Sequence, residues 1–458
     1  MAGAYHVRSH QRIGIVGHFP TLRVKDIDAV IFDLDGVITK TASVHEAAWA
    51  TLFNGYLQER AEQTGEPFQA FESADYLEYV DGKPRYDGVA SFLESRDIHL
   101  PRGTTDDPPE AETVCGLGNR KNRVFLQEIA DHGVEPYDTT VEFVNELQSN
   151  GVATALISSS RNVNAVLEGA GLLDLFEVRI DGNVAADLGI PGKPNPAVFL
   201  EAASRVGVSP ERAAIVEDAQ SGVAAGRDGG FQMVIGVDRG DQAEELAAGG
   251  ATVVVPDLGD FTIERVAPVS RQDLPSAQEA YNEIVARLDG SEVALFLDYD
   301  GVVTTAVSGE DLGELSDEMR DMLTRLAAAT TVTVVSELDA AAIRDKVQIP
   351  GIYYAGGNGS ELVSPDGTAA VDERRNEFAG SRGRALYWLL GNLGLDRYAI
   401  TPLYLGYDLT SEDAFRVIHK RGIGIVVGGM GAASHAHYAL ADIGEVGSFL
   451  SLLAEVLT

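Results

Sequence analysis

The chain has 458 residues, 45% hydrophobic and 23% charged, a globular composition that does not indicate disorder and supplies apolar material for two cores. Asp and Glu number 70 against 35 Lys and Arg, a net charge of −35 that argues against nucleic acid or an anionic membrane surface as partner. The single cysteine, Cys115, excludes an intrachain disulfide and a thiolate metal cage and suits a reducing cytoplasm.

Residues 1–26 read as a loosely attached extension without the apolar core of a signal peptide, and no apolar run is long enough to span a bilayer. A first strand at 27–32 ends in Asp33-Leu34-Asp35-Gly36-Val37-Ile38-Thr39. Two carboxylates two residues apart at the tip of a buried strand can face one point, one as nucleophile or metal ligand and the other as proton donor. Residues 43–128 are helical in character, opened by Val44–Trp49 and interrupted by a polar, Pro-containing loop at 101–109, and predict an inserted helical cap. Strands follow at 152–157, 178–180, 213–216, 233–237 and 252–255 with helical segments between them, the pattern of a parallel sheet with crossover helices. After a polar join and a helix at 276–288, Asp298-Tyr299-Asp300-Gly301-Val302-Val303-Thr304 nearly repeats the first signature. Further strands are expected at 293–297, 331–335, 351–355, 403–405 and 424–427. The expectation is an α/β protein of two Rossmann-like units with parallel sheets: extension 1–26, a capped catalytic unit 27–258, linker and helix 259–290, and a capless unit 291–458.

Successive parallel strands deliver their C-terminal ends to one crevice, and each strand end of the first unit offers a group to Asp33 and Asp35. Ser158-Ser159-Ser160 brings a hydroxyl and backbone N–H groups suited to a phosphoryl oxygen. Lys193, in Gly192-Lys193-Pro194-Asn195-Pro196, brings a cation, and Glu217-Asp218 brings oxygen ligands suited to Mg²⁺.

In this order the four motifs resemble the haloacid dehalogenase superfamily, specifically the branch of β-phosphoglucomutase and related phosphatases, over residues 27–255. The resemblance implies that Asp33 attacks phosphorus and Asp35 shuttles the proton. It also implies that Asp33, the Asp35 carbonyl and Asp218, with Glu217 nearby, hold Mg²⁺. His45 and Trp49 fall where that branch has a hinge His and Trp. Arg85, within Gly82-Lys83-Pro84-Arg85-Tyr86-Asp87-Gly88, falls with Ser160, Arg161 and Asn162 on its contacts to the far end of the substrate.

Residues 291–455 resemble trehalose-6-phosphate phosphatase, carried by Ala355–Glu361, Arg382–Leu386 and Leu405–Phe415. Asp298, Asp300 and Ser336 are retained, but the family's lysine falls at Arg382, a metal-site acid at Tyr407 and another acid at Ser411; Asp408 and Asp413 remain as candidate metal supports. The residues between Glu361 and Arg382 are too few for that family's cap, so the second unit is expected to be inactive. The expected function is a Mg²⁺-dependent phosphatase for a trehalose-like disaccharide or pseudodisaccharide phosphate, of the validoxylamine A 7′-phosphate type. The alternatives are a β-phosphoglucomutase and a non-catalytic sugar-phosphate sensor. A small-molecule sugar phosphate is the expected partner, with oligomeric state left open.

Overall fold

Five consecutive residues, Ala29–Asp33, are buried on both faces, and such a strand belongs at the centre of a sheet covered by helices on both sides. The computed structural model describes residues 20–65, 67–305, 313–372, 382–393, 400–428 and 433–457. The chain divides into two units, one of residues up to Asn145 together with Ala153–Glu264, the other of Glu146–Val152 together with Arg265–Thr458.

In the first unit, β1 (Thr21–Arg23) precedes the buried strand, β2 (Ala29–Asp33), which is joined by β3 (Ala153–Ile157), β4 (Val178–Ile180), β5 (Ala213–Glu217), β6 (Met233–Val237), β7 (Val253–Val255) and β8 (Thr262–Glu264). Six of them form a parallel sheet in the order β4-β3-β2-β5-β6-β7. Asp33 is in register with Ile157 of β3, and Phe32 with Val216 of β5, so the residues leaving three neighbouring strands emerge side by side.

Two boundaries differ from expectation. Thr21–Arg23 is no loose extension: β1 pairs in parallel with β8, and Leu22 and Val24 are buried. The first unit therefore starts before residue 27 and runs through residues expected to be linker, because a three-residue strand with a partner 241 positions away leaves no periodic trace in sequence. The helix Tyr281–Leu288 is not linker either, since Ile284 and Leu288 enter the second unit's core.

The cap is helical, with its main helices at Ala42–Thr64, Arg85–Ser95 and Val114–His132. Its core is aromatic: Trp49 stacks on Phe53 at 5.3 Å, Phe53 meets Phe92 at 4.1 Å, and Phe71 stands edge-on to Phe92 at 4.9 Å. The polar 101–109 segment connects the second and third of these helices, and Thr113 caps the third by accepting the Gly116 N–H at 2.9 Å.

The second unit contains β9 (Val269–Ser270), β10 (Glu292–Asp298), β11 (Thr331–Val335), β12 (Tyr353–Gly356), β13 (Glu361–Val363), β14 (Ala369–Val371), β15 (Ile400–Gly406), β16 (Ile423–Val427), β17 (Ala433–Ser434) and β18 (Tyr438–Leu440). Its main sheet runs β14-β13-β12-β11-β10-β15-β16-β18, parallel except for the antiparallel run β12-β13-β14. Along β10, Leu295 and Leu297 join one core with Phe449, while Ala294 and Phe296 join the other with Leu386 and Phe415, the two-sided burial of a central strand. The hairpin β13-β14 was not expected. It occupies part of the short stretch after Glu361, and 373–381 lie outside the described residues. No helix among the described residues is long and apolar enough to cross a membrane.

Candidate active site

Both signatures fold into the same turn. Gly36 N–H donates to the Thr39 carbonyl at 2.8 Å, and Gly301 N–H to that of Thr304 at 2.9 Å. The turn needs a left-handed residue, and Gly36 adopts φ 79° and Gly301 φ 76°. What surrounds the two turns differs.

In the first unit Asp33 ends β2 almost fully buried, accepting the Asp35 N–H at 3.1 Å and Lys193 Nζ at 2.8 Å. Lys193 also donates to Glu217 Oε1 at 2.6 Å, and the Glu217 Oε2 accepts the Ala219 N–H at 3.1 Å. Carboxylate oxygens of Asp33, Glu217 and Asp218 lie within 4.8 Å of one another. Burial drives the Asp33 carboxyl well above its ordinary range against the pull of Lys193, and burial with Asp81 does the same to Asp218. Three clustered carboxylates with one ammonium are short of positive charge, and an all-oxygen donor set fits a hard divalent cation. Gly36 leaves room for the Asp218 carboxylate: a Cβ there would lie 1.7 Å from Asp218 Oδ2.

Asp35 faces the cap. Its Oδ1 accepts the Thr41 hydroxyl and lies 3.2 Å from His45 Nε2, and its Oδ2 accepts the Ser158 hydroxyl at 3.2 Å. Burial would raise this carboxyl, but His45, Thr41 and Lys121 together hold it below the usual range. Ser158 therefore orients Asp35, and its oxygen also accepts the Ser160 N–H at 3.0 Å.

Asp33, Asp35, His45, Trp49, Arg85, Ser160, Arg161, Asn162, Lys193 and Asp218 line one cavity, while Ser158 and Glu217 stand behind its wall. Trp49 is both cap core and lining, only 5% exposed. At the cavity's far end Arg85 Nη2 and Asn162 Nδ2 both donate to Asn122 Oδ1, at 2.7 and 2.6 Å. Sequence reasoning missed Asn122 and Lys121. Lys121 contacts His45 Nδ1 at 2.5 Å and lies over the Phe125 ring at 4.6 Å. Both residues sit inside the helix Val114–His132 rather than at a strand end, so no positional signal marked them.

In the second unit the corresponding carboxylate is saturated. Asp298 accepts Arg382 Nη1 at 2.7 Å, the Tyr404 hydroxyl at 2.6 Å, the Ser411 hydroxyl at 2.7 Å and the Tyr407 N–H at 3.2 Å. The Tyr407 ring fills the position that Asp218 holds in the first unit, since a Cβ on Gly301 would lie 2.2 Å from Tyr407 Cγ. Ser336 does not reach its second aspartate: it accepts the Leu338 N–H at 3.2 Å, and Asp300 Oδ1 is buried without a partner. Asp408 is tied to Arg382 at 3.2 Å and to the Thr410 hydroxyl at 2.6 Å, and Asp413 pairs with Arg416 on its own helix. The expectation that Asp408 and Asp413 support a metal does not match this arrangement. Among the described residues, the Asp33–Glu217–Asp218 group is the one three-carboxylate cluster.

Comparison with known proteins finds a different family on each unit. The haloacid dehalogenase-like hydrolase family matches residues 27–230 and the trehalose-phosphatase family residues 296–379. A β-phosphoglucomutase of Mycobacterium bovis is 48% identical, over 51% of this chain and 91% of the relative. A trehalose-phosphate phosphatase of M. bovis BCG is 27% identical, over 70% of this chain and 92% of the relative. A Mycobacterium tuberculosis protein named an uncharacterized glycosyl hydrolase is 34% identical across 91% of this chain, which spans only 37% of that relative's length. The chain belongs to the haloacid dehalogenase-like hydrolases, with a trehalose-phosphatase domain following the first.

Proposed function

We propose that the first unit is a Mg²⁺-dependent phosphatase for sugar phosphates that forms an aspartyl phosphate on Asp33. The observation that carries this reading is the pairing of Asp33, held by Lys193, with Asp35, held by His45, Thr41 and Ser158, in one cavity with a donor-rich far end. Mg²⁺ at Asp33, the Asp35 backbone carbonyl and Asp218, with Glu217 beside them, would neutralise the transferring group. Asp33 attacks phosphorus, the ester P–O bond breaks, and Asp35 protonates the departing sugar oxygen. Water then attacks phosphorus, gives its proton to Asp35, and frees Asp33 and inorganic phosphate. Its surroundings hold Asp35 ionised, the state needed for the second step, and an incoming phosphoryl dianion raises its proton affinity for the first.

A trehalose-like disaccharide or pseudodisaccharide phosphate, of the validoxylamine A 7′-phosphate type, is favoured by the attached trehalose-phosphatase domain. The second unit is non-catalytic, its aspartate closed off by four donors. The single buried cysteine suits a cytoplasmic setting. A second reading, β-phosphoglucomutase, is favoured by Arg85 and Arg161 at the far end, where a second phosphate would bind, and by the 48% identity to such an enzyme. The test is inorganic phosphate release with Mg²⁺ from trehalose 6-phosphate, a pseudodisaccharide phosphate, glucose 6-phosphate and β-glucose 1-phosphate. Release that Asp33→Asn lowers by at least about 10³-fold supports the phosphatase. Glucose 6-phosphate formed from β-glucose 1-phosphate only with a bisphosphate primer, and no phosphate release, would establish the mutase instead.

A further inference from the structure

The active-site cavity ends at Arg85, Ser159 and Arg161, and those three side chains have a second cavity on their other side. Lys193 borders both spaces, so the second opens beside the reacting groups rather than on a remote face. It is open to solvent, with a volume of about 220 Å³. Tyr86, Asp87 and Arg102 bound it on the cap side, and Ala186, Ile190 and Pro191 on the sheet side.

The wall between the spaces is ordered by specific contacts. The Tyr86 hydroxyl donates to Asn119 Oδ1 at 2.9 Å, and the Arg85 and Arg161 guanidiniums lie 5.8 and 5.5 Å from the Tyr86 ring centre. Ser159 ties core to cap by donating to the Gly82 carbonyl at 2.8 Å. Across the cavity the lining is divided: mostly apolar on the sheet side, with Ser158 and Lys193 beside it, and on the cap side an aromatic ring with a carboxylate and a guanidinium, Asp87 and Arg102, 3.2 Å apart. Asp87 offsets Arg102 on this rim, which leaves the positive charge of the lining to Lys193 and to Arg85 and Arg161 in the wall. An apolar floor with an aromatic and hydrogen-bonding rim matches a sugar ring, which has C–H faces and a hydroxyl edge.

We propose that the second cavity is the subsite for the second ring of a disaccharide phosphate, with Arg85 and Arg161 flanking the link between rings. The proposal rests on the sugar-phosphate reading of the first cavity and specifies its substrate class. With phosphorus at Asp33 the first ring occupies the first cavity, and a second ring continues past the two arginines. A monosaccharide phosphate leaves the second cavity empty.

Binding in the full-length Asp33→Asn chain, which cannot form the phosphoenzyme, tests this by calorimetry with Mg²⁺. The probes are trehalose 6-phosphate, glucose 6-phosphate and inorganic phosphate, each with and without Ala186→Trp. Ala186 is exposed on the short helix Gly182–Asp187, so the indole can enter the cavity with the fold intact. The expected result is at least tenfold weaker trehalose 6-phosphate binding, with less than twofold change for the other two probes. Equal weakening of both sugar phosphates, unchanged trehalose 6-phosphate binding, or selective loss of inorganic phosphate overturns the subsite. Ile190→Trp repeats the measurement from the other side of the floor if Ala186→Trp lowers Tm. Phosphate release by the unmodified chain is scored separately: its absence removes the phosphatase reading, while the binding ratio still decides the subsite.

Discussion

Lys121 shows how a single buried side chain sets both chemistry and stability. Burial, with Arg85 nearby and only Asp35 opposing, pulls its pKa down to about 7 from 10.5. Between those values the unfolded chain holds a proton that the folded chain lacks, so stability rises with pH across that window. Lys121→Met is expected to raise Tm most at pH 7 and below, with the gain shrinking towards pH 10.5; a pH-independent difference in thermal melts would refute this. His437 behaves in the same sense at lower pH. Its Nδ1 accepts the Gly424 N–H at 3.1 Å and its Nε2 donates to the His419 carbonyl at 2.9 Å, which keeps the ring neutral. Burial, then His419, lowers its pKa to about 4, so its contribution is lost as pH falls from 6.5 towards 4. His437→Gln should flatten the fall of Tm across that interval.

At the scale of elements, the two signature turns invite parallel substitutions with different outcomes. Gly36→Ala combines a left-handed backbone, costing roughly 1–2 kcal/mol, with a Cβ 1.7 Å from Asp218 Oδ2. It is expected to lower both Tm and phosphate release, the latter by more than about tenfold. Gly301→Ala strikes Tyr407 instead and should lower Tm with phosphate release unchanged. In the cap, Phe53 is fully buried among Trp49, Phe71 and Phe92, and Phe53→Ala should cost about 3–5 kcal/mol in denaturant unfolding. Hydrogen exchange should then quicken in the cap helices while β2 and β3 keep their protection; loss of protection throughout would show that cap and sheet open together.

For the whole molecule, the net charge of −35 opposes an approaching phosphorylated substrate at long range, while Lys193, Arg85 and Arg161 act only near the cavity. At 0.1 M salt the screening length is about 10 Å, so kcat/KM should rise as ionic strength increases from low values; a steep fall would mean that the local cations dominate the encounter. The proposed division of labour between the units has its own readout. Asp33→Asn should abolish phosphate release and Asp298→Asn should leave it unchanged, whereas Arg382→Met should destabilise the second unit by about 3–5 kcal/mol by leaving the buried Asp298 short of its cation.

Much of this architecture is legible in the amino-acid sequence because it is local. A buried strand ending in Asp-x-Asp-Gly, two further strand ends carrying Ser158 and Glu217-Asp218, and the alternation of strands and helices together define a parallel α/β sheet and the edge where its site lies; Lys193 reaches that edge from the loop after the helix Gly182–Asp187 rather than from a strand end. The repeat at Asp298 likewise marks a second unit. Tertiary structure alone decided the rest, because the deciding partners are distant in sequence. Leu22 is core only because β1 meets β8, and Lys121 and Asn122 belong to the site only because their helix packs over it. Asp298 differs from Asp33 in its surroundings: Arg382, Tyr404, Tyr407 and Ser411 converge on it from other elements and fill the space that Asp33 keeps open. Sequence determines which groups each strand end presents. Which of them keep free valence for a ligand depends on side chains brought from elsewhere, and only packing in three dimensions sets that.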